Sequence, residues 1–455
     1  MVLKSMDDLT SRFIDRILTV ADRHQLPAHR HLVKRCLLDY LGVTFAGSRI
    51  LDEKGELLLA ALSDEGTAAG VIGYGVRAPL QTAVLVNGLS SHVAELDDGV
   101  RFGSVHPGAP IFSALLPVAE RHALSATQFF KGVIAGYEAA GRLAMAIQPS
   151  HRGLGYHASG TCGTIGAAMA IAVALDYSRD EMRVTLAAAV TSASGMLKML
   201  EGGSTLKAYN IANAASSGLV AAMMARCNFE GPDELLDGAR GFLAMSSGEI
   251  DTSHLQRLKA EDKSAIELVY VKPYAACRHC HPAIEAALTL RKEHGLLPEA
   301  IKAISVQTYH LAGPGHDHSI IDGITSAKMS TPYSIAVALI DGQAGITQFE
   351  SSRVSHPAIQ LLAQKVSVHV SEELDLLVPD KRAAIVEIKS IDGQVCSLRV
   401  DLPKGEPESP LSDVEFEAKF TDLARYRGLE DARISSLTKL VWELETSLPR
   451  LFELL

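Results

Sequence analysis

The chain has 455 residues, 47% of them apolar and 21% charged, with 36 glycines and 18 prolines. At about 100–200 residues per domain it is long enough for several domains with sizeable cores, and these proportions exclude collagen-like, mucin-like and wholly disordered chains. Lys and Arg total 43 against 53 Asp and Glu, a net charge of −10 with no dense basic run, which argues against nucleic-acid or anionic-membrane partners.

The start, MVLKSMDDLTSRFIDRIL, mixes acids into an amphipathic repeat where a signal peptide needs an unbroken apolar stretch. No window offers about 18 uncharged apolar residues in a row, so no membrane-spanning helix is expected. Six cysteines, at 36, 162, 227, 277, 280 and 396, are sparse for this length and point to reduced thiols in the cytoplasm.

Residues 7 to about 255 read as successive helices. Leu9, Phe13, Ile14, Ile17 and Leu18 recur at three- and four-residue spacing, the mark of a one-sided apolar stripe. Pro27 breaks that segment, and Pro79 stands where a first-turn proline belongs, ahead of Leu80 to Leu89. Ser125 with Gln128 and Ser178 with Glu181 form capping boxes. Near residue 265 the pattern changes. Residues 302–310 and 365–371 alternate with period two, and two further runs flank Asp392-Gly393, a strong hairpin signal. Helical stretches fall at 281–294 and 326–341, and Ser412 with Glu415 opens the last helices. The expected fold is mostly α: a large helical domain over 1–265, completed by 406–455, and an inserted α+β lid domain over 266–405.

Five segments could carry chemistry. The stretch 86–110 gathers His92, Glu95, Asp97, Asp98, Arg101 and His106 between strongly apolar helices. His92 and Glu95 are three apart, which predicts one helical face, and His106-Pro107-Gly108 predicts a helix start that suits an anion. In 155–175, His157 precedes Gly160, Gly163 and Gly166, whose amides could hold a carboxylate. Gly73-Tyr74-Gly75 lacks the third glycine of a dinucleotide site. Lys207, among small residues, reads as a surface cation or a buried clamp. Cys277-Arg278-His279-Cys280-His281 matches C-x-x-C-H, a haem-attachment pattern and half a zinc site, but no second cysteine pair completes it. Lys272 precedes it at the domain boundary. Ser330 and Tyr333 open an apolar helix. No G-x-S-x-G elbow or H-E-x-x-H is present, so common serine hydrolases and zinc proteases are unsupported.

Taken in order, N-G-x-x-x-H-x-x-E-L-D-D with a later H-P-G, G-Y-H-x-x-G-T-x-G-x-x-G-A-A, the Lys207 segment, K-P-Y-x-x-C-x-x-x-H and S-x-x-Y-x-x-A-x-A-L-x-D-G resemble the MmgE/PrpD family. The family includes 2-methylcitrate dehydratase, cis-aconitate decarboxylase and iminodisuccinate epimerase. The resemblance implies a homodimer of helical and lid domains, without metal or organic cofactor, acting on a small di- or tricarboxylate. It implies functional residues at Glu95, Gly99, His106, His157, Lys207, Lys272, Cys277 and Tyr333. Glu95, Gly99 and Cys277 replace the Asp, Thr and His of the decarboxylases. The expected catalytic set is His106, His157, Lys207 and Tyr333, with Glu95, Asp97, Lys272, Cys277 and His281 binding substrate. The expected reaction is decarboxylation or dehydration by proton transfer beside a carboxylate. Epimerisation, and non-catalytic binding of a polycarboxylate, are the alternatives.

Overall fold

The computed structural model describes residues 8–62, 66–200, 204–248, 255 and 263–455. Residues 1–7 of the opening stretch and Gly202-Gly203 ahead of Lys207 lie outside them. The chain forms two compact units. One comprises Met1–Glu201, Leu206–Tyr270 and Ser412–Leu455; the other comprises Gly202–Thr205 and Val271–Leu411. The fold is mostly α with a smaller α+β part, as the periodicities predict. Among the described residues no helix is long and apolar enough to cross a membrane.

In the first unit, α1 (Leu9–Ala21) buries the stripe Leu9, Phe13, Ile14 and Ile17, and Asp8 caps it by accepting from the Ser11 amide at 2.6 Å. Pro27 opens α2 (Pro27–Leu51) rather than merely ending α1, because its missing N–H is no loss in a first turn. Helix α3 (Glu53–Leu62) leads to a departure from the all-helical expectation. Strands β1 (Ala69–Val71) and β2 (Val76–Ala78) form an antiparallel hairpin. Its turn is Gly73-Tyr74-Gly75, with both glycines at positive φ, so this pair of glycines turns the chain. Next come α4 (Leu80–Val93), β3 (Gly99–Val100), α5 (Gly108–Arg121) and α6 (Ala126–Ile147), the last opened by the Ser125–Gln128 capping box. A short α7 (Ser150–Gly153) precedes α8 (Ala158–Ala174). Helix α9 (Arg179–Ser192) starts at the Ser178–Glu181 box, α10 covers Lys207–Arg226, and β4 (Val269–Tyr270) pairs antiparallel with β3. Of the C-terminal helices, Asp413–Arg427 packs on α2.

Every residue of α8 is buried, so α8 is the axis of this unit. Gly160, Gly163 and Gly166 lie within this buried helix rather than at an open helix start that holds an anion; they serve packing. A Cβ on Gly166 would stand 2.7 Å from Ala140 Cβ and 2.9 Å from the Gly136 carbonyl oxygen, both on α6. A Cβ on Gly88 of α4 would stand 2.7 Å from Ala212 Cα on α10. We expect Gly166→Ala to destabilise the protein by about 1–3 kcal/mol through overpacking, outweighing the roughly 1 kcal/mol that alanine gains in helix propensity. Denaturant unfolding measures this, and an unchanged or raised midpoint would contradict the crossing.

The second unit is built on a four-stranded sheet in the order β6-β5-β7-β8. β5 (Ile301–Thr308) runs parallel to β6 (Val366–Val370) and antiparallel to β7 (Ala384–Ser390), and β8 (Val395–Val400) returns from β7 through the Asp392-Gly393 turn. The parallel pair requires a long crossover, which carries the helices Gly323–Met329, Thr331–Asp341 and Pro357–Ala363. Alternation along β7 buries Ala384, Val386 and Ile388.

Candidate functional site

Helix α4 ends at Val93, and Glu95 has a left-handed backbone, φ 59°. His92 and Glu95 therefore do not share a helical face as the spacing predicted. A non-glycine residue held at positive φ stores strain, which is common where a side chain must be aimed. Close contact of α4 with α10 at Gly88 and Ala212 sets Glu95 against Lys207, the first residue of α10, and the two form an ion pair. The Glu95 carboxylate also lies 3.9 Å from His92 Nε2.

Three histidines gather there. The ring of His92 lies 5.3 Å from that of His106 and 6.2 Å from that of His157. His92 is fully buried, with Nδ1 2.7 Å from Asp97 Oδ2. Its Nε2 has no hydrogen-bond partner among the described residues. His106 follows a tight loop closed by hydrogen bonds between Val100 and Val105, and its amide donates to Ser159 Oγ on the first turn of α8 at 2.9 Å. His106 Nδ1 lies 2.6 Å from the Asp98 carbonyl, which only accepts, so Nδ1 carries a proton and Nε2 is the basic nitrogen. His157 caps α8, its amide held by the Gly195 carbonyl at 3.1 Å. The Asn210 amide nitrogen donates to the Met196 carbonyl at 3.2 Å and to His157 Nδ1 at 3.3 Å. That fixes Nδ1 of His157 as acceptor and places its proton on Nε2. Burial lowers the pKa of His157 well below the usual imidazole range, with His92, Lys207 and His106 adding to the effect and Glu95 opposing it. His157 is thus neutral at pH 7.

The start of α5 is not an open anion site, since Asp98 of the same chain occupies it. Its Oδ1 accepts from the Gly108 amide at 3.1 Å and its Oδ2 from the Tyr137 hydroxyl at 2.5 Å. Burial raises the Asp98 pKa to about 7; Asp39 and Asp97 reinforce the rise, while Tyr137 and the Gly108 amide oppose it. A folded pKa above the unfolded one means that the native state holds this proton longer. The stability it contributes is complete below about pH 4 and is lost as pH rises toward 7. Replacing Asp98 by Asn removes that loss, so we expect stability to fall less between pH 5 and 7 in the variant than in the parent. Equal slopes in urea unfolding across that range would contradict the assignment.

Gly99, paired with Tyr270 across β3 and β4, has no room for a side chain, because a Cβ there would stand 2.4 Å from the Tyr270 hydroxyl. Tyr270 also meets His106 edge-on, with ring centroids 6.5 Å apart. The tyrosine thus fills the space beside the histidines that a larger residue at 99 would need.

Of the residues singled out from sequence, the first unit brings together Glu95, Asp97, His106, His157 and Lys207. Glu95 and Asp97 face groups of the cluster itself, pairing with Lys207 and His92; carboxylates so engaged orient those groups rather than attract an anionic substrate. His92, Asn210 and Ser159 also belong to the cluster. His92 was visible in the dense polar segment, whereas Asn210 and Ser159 carried no signal beyond proximity to Lys207 and His157.

In the second unit Lys272 is buried. His281 has both ring nitrogens engaged, accepting from Arg278 at 2.9 Å and donating to the Ala276 carbonyl at 3.1 Å. That makes it a structural residue rather than a substrate ligand. Tyr333 is likewise structural rather than catalytic. It is fully buried against Phe349, its hydroxyl donates to the Gln348 carbonyl at 2.7 Å, and burial raises its pKa, so its proton is spent inside the unit. Cys277 lies 3.9 Å from His316 Nε2 and shares its surroundings with His279.

Comparison with known proteins adds to this geometry. The family model for the MmgE/PrpD N-terminal domain matches residues 15–254, and that for the MmgE/PrpD C-terminal domain matches 274–444. A cis-aconitate decarboxylase-like protein of Aspergillus oryzae is 27% identical over 440 residues, 91% of this chain and 90% of the relative. The human cis-aconitate decarboxylase is 27% identical, covering 90% of this chain and 86% of its own. The mouse cis-aconitate decarboxylase is 27% identical, covering 98% and 92%.

Proposed function

From the premise that the chain belongs to the MmgE/PrpD family, we propose that it is a lyase acting on a small di- or tricarboxylate, of the cis-aconitate decarboxylase type. The observation that carries this reading is the convergence of His92, His106 and His157 on the Lys207–Glu95 pair, with the tautomers of His106 and His157 set by their backbone and Asn210 contacts.

In this reading Lys207 neutralises one substrate carboxylate, which competes with Glu95 for the ammonium. His157, neutral, donates from Nε2–H to a second carboxylate or to charge developing on it. Loss of carbon dioxide from an unsaturated tricarboxylate leaves its bonding electron pair in the adjoining allylic system, and a proton must then be delivered to the carbon beside a remaining carboxylate. His106 fits that role: its Nδ1–H stays on the Asp98 carbonyl while Nε2 takes up and delivers the proton. Fixed donors aimed at developing charge in a largely buried cluster act more strongly than they would in water. Asp97 and His92 hold the cluster in register.

A nuclear magnetic resonance assay of the purified protein against cis-aconitate, 2-methylcitrate, citrate and iminodisuccinate tests the proposal. Release of carbon dioxide from cis-aconitate is the expected result. Loss of water from 2-methylcitrate or citrate, or epimerisation of iminodisuccinate, would move the reaction to another branch of the family. Calorimetric binding of these acids without turnover would make the protein a polycarboxylate binder.

A further inference from the structure

We propose that Cys277, His279 and His316 form a zinc-binding site in the second unit. The ligand-capable atoms of the three side chains all lie within 4.8 Å of one another. In tetrahedral zinc coordination, bonds of about 2.3 Å to sulfur and 2.0–2.1 Å to nitrogen set a sulfur–nitrogen separation of roughly 3.6 Å. Cys277 Sγ and His316 Nε2 are 3.9 Å apart, and the rings of His279 and His316 are 5.3 Å apart. Small side-chain rotations bring all three onto one ion.

The outer contacts match what such a site needs. A histidine that binds metal usually donates its other N–H to a carbonyl or similar acceptor, which fixes the tautomer. His316 Nδ1 lies 2.7 Å from the Met329 carbonyl, so Nδ1–H is committed there and Nε2 is the ring atom that meets the sulfur. His279 Nδ1 lies 2.6 Å from the Tyr309 hydroxyl, which can serve as its outer partner. The two ligand-bearing segments are tied to one strap of backbone. The Cys277 amide donates to the Lys328 carbonyl at 2.8 Å, and the Thr331 amide donates to the His316 carbonyl at 2.8 Å. Such anchoring lowers the ordering cost of binding an ion.

One thiolate with two imidazoles suits a borderline-soft divalent ion of tetrahedral preference, and three protein ligands leave a fourth position for water or an oxygen ligand. The neighbouring thiol is a different case. Cys280 Sγ accepts from Thr331 Oγ1 at 3.4 Å, is fully buried, and stands outside the ligand group. The missing partner of the C-x-x-C-H motif is therefore a single histidine 39 residues beyond Cys277, not a second cysteine pair. The inference departs from the cofactor-free expectation for the family but does not rest on the proposed reaction.

The test uses the reduced, metal-stripped full chain titrated with zinc against a chromophoric chelator, and with cobalt(II) as a spectroscopic probe. We expect one high-affinity equivalent, a thiolate-to-cobalt charge-transfer band, and protection of Cys277 from alkylation by zinc. Cys277→Ser should abolish the band and Cys280→Ser should retain it. Tyr309→Phe, which removes an outer contact, should weaken zinc binding by about 10–100-fold. Absence of the band with rapid, zinc-insensitive alkylation of Cys277 would overturn the site and leave a thiol–imidazole pair. Equal zinc affinity in Cys277→Ser would also overturn it. The band and the protection are read on the unmutated chain, so misfolding of a variant cannot obscure them.

Discussion

Replacing His106 or His157 by alanine is expected to lower turnover of the substrate acid by about 10²–10⁴-fold, the usual cost of deleting a positioned general acid or base. The two losses have different origins. His106 contributes the nitrogen that exchanges a proton, with its other nitrogen fixed on the Asp98 carbonyl. His157 contributes a neutral donor, kept uncharged by burial, with the Lys207 ammonium adding to the effect. His157→Asn keeps a donor but not its reach, so it should recover little. The fold should survive these changes, because the backbone at 157 is held independently by Gly195 and the backbone at 106 by Ser159. Steady-state rates, with circular dichroism and thermal unfolding as controls, decide the matter. Full turnover in both folded variants would remove the histidines from the chemistry.

The second large effect is on stability. Arg278 Nη2 lies 2.7 Å from Glu406 Oε1, with side-chain exposures of 3% and 1%, and the guanidinium also reaches His281 and the carbonyls of Pro403 and Lys404. Desolvating two charges is costly and is offset only while both are present. Arg278→Met strands a buried carboxylate and is expected to cost about 3–5 kcal/mol. The double change Arg278→Met with Glu406→Leu should recover most of that, since a well-packed apolar pair is often as stable as the buried ion pair. Urea unfolding of the parent, the two single variants and the double variant measures the coupling. A loss under about 1 kcal/mol for Arg278→Met would show that the pair does not hold this segment.

Much of the fold was legible because local chemistry and global structure agree. The boxes Ser125–Gln128, Ser178–Glu181 and Ser412–Glu415 each open a helix, and Asp392-Gly393 turns β7 into β8. The hairpin at residues 69–78 was hidden because strands of three residues are too short to show a period. The glycines of α8 read as an anion-holding helix start because sequence cannot separate glycine that exposes backbone amides from glycine needed for close helix contact. At the site, Lys207 and the histidines stood out by type. Their use did not: Asp98 filling the start of α5, Glu95 turning away from α4 and Tyr333 closing on Gln348 are all set by tertiary packing. His316 escaped notice because its partners are distant in the chain.

The most direct test of the central claim is turnover of cis-aconitate in deuterated water, followed by nuclear magnetic resonance. Carbon dioxide release is expected in step with one deuterium placed on the carbon beside a remaining carboxylate, both slowed together in His106→Ala. Carbon dioxide release at an undiminished rate in that variant, or no release from cis-aconitate at all, would contradict it.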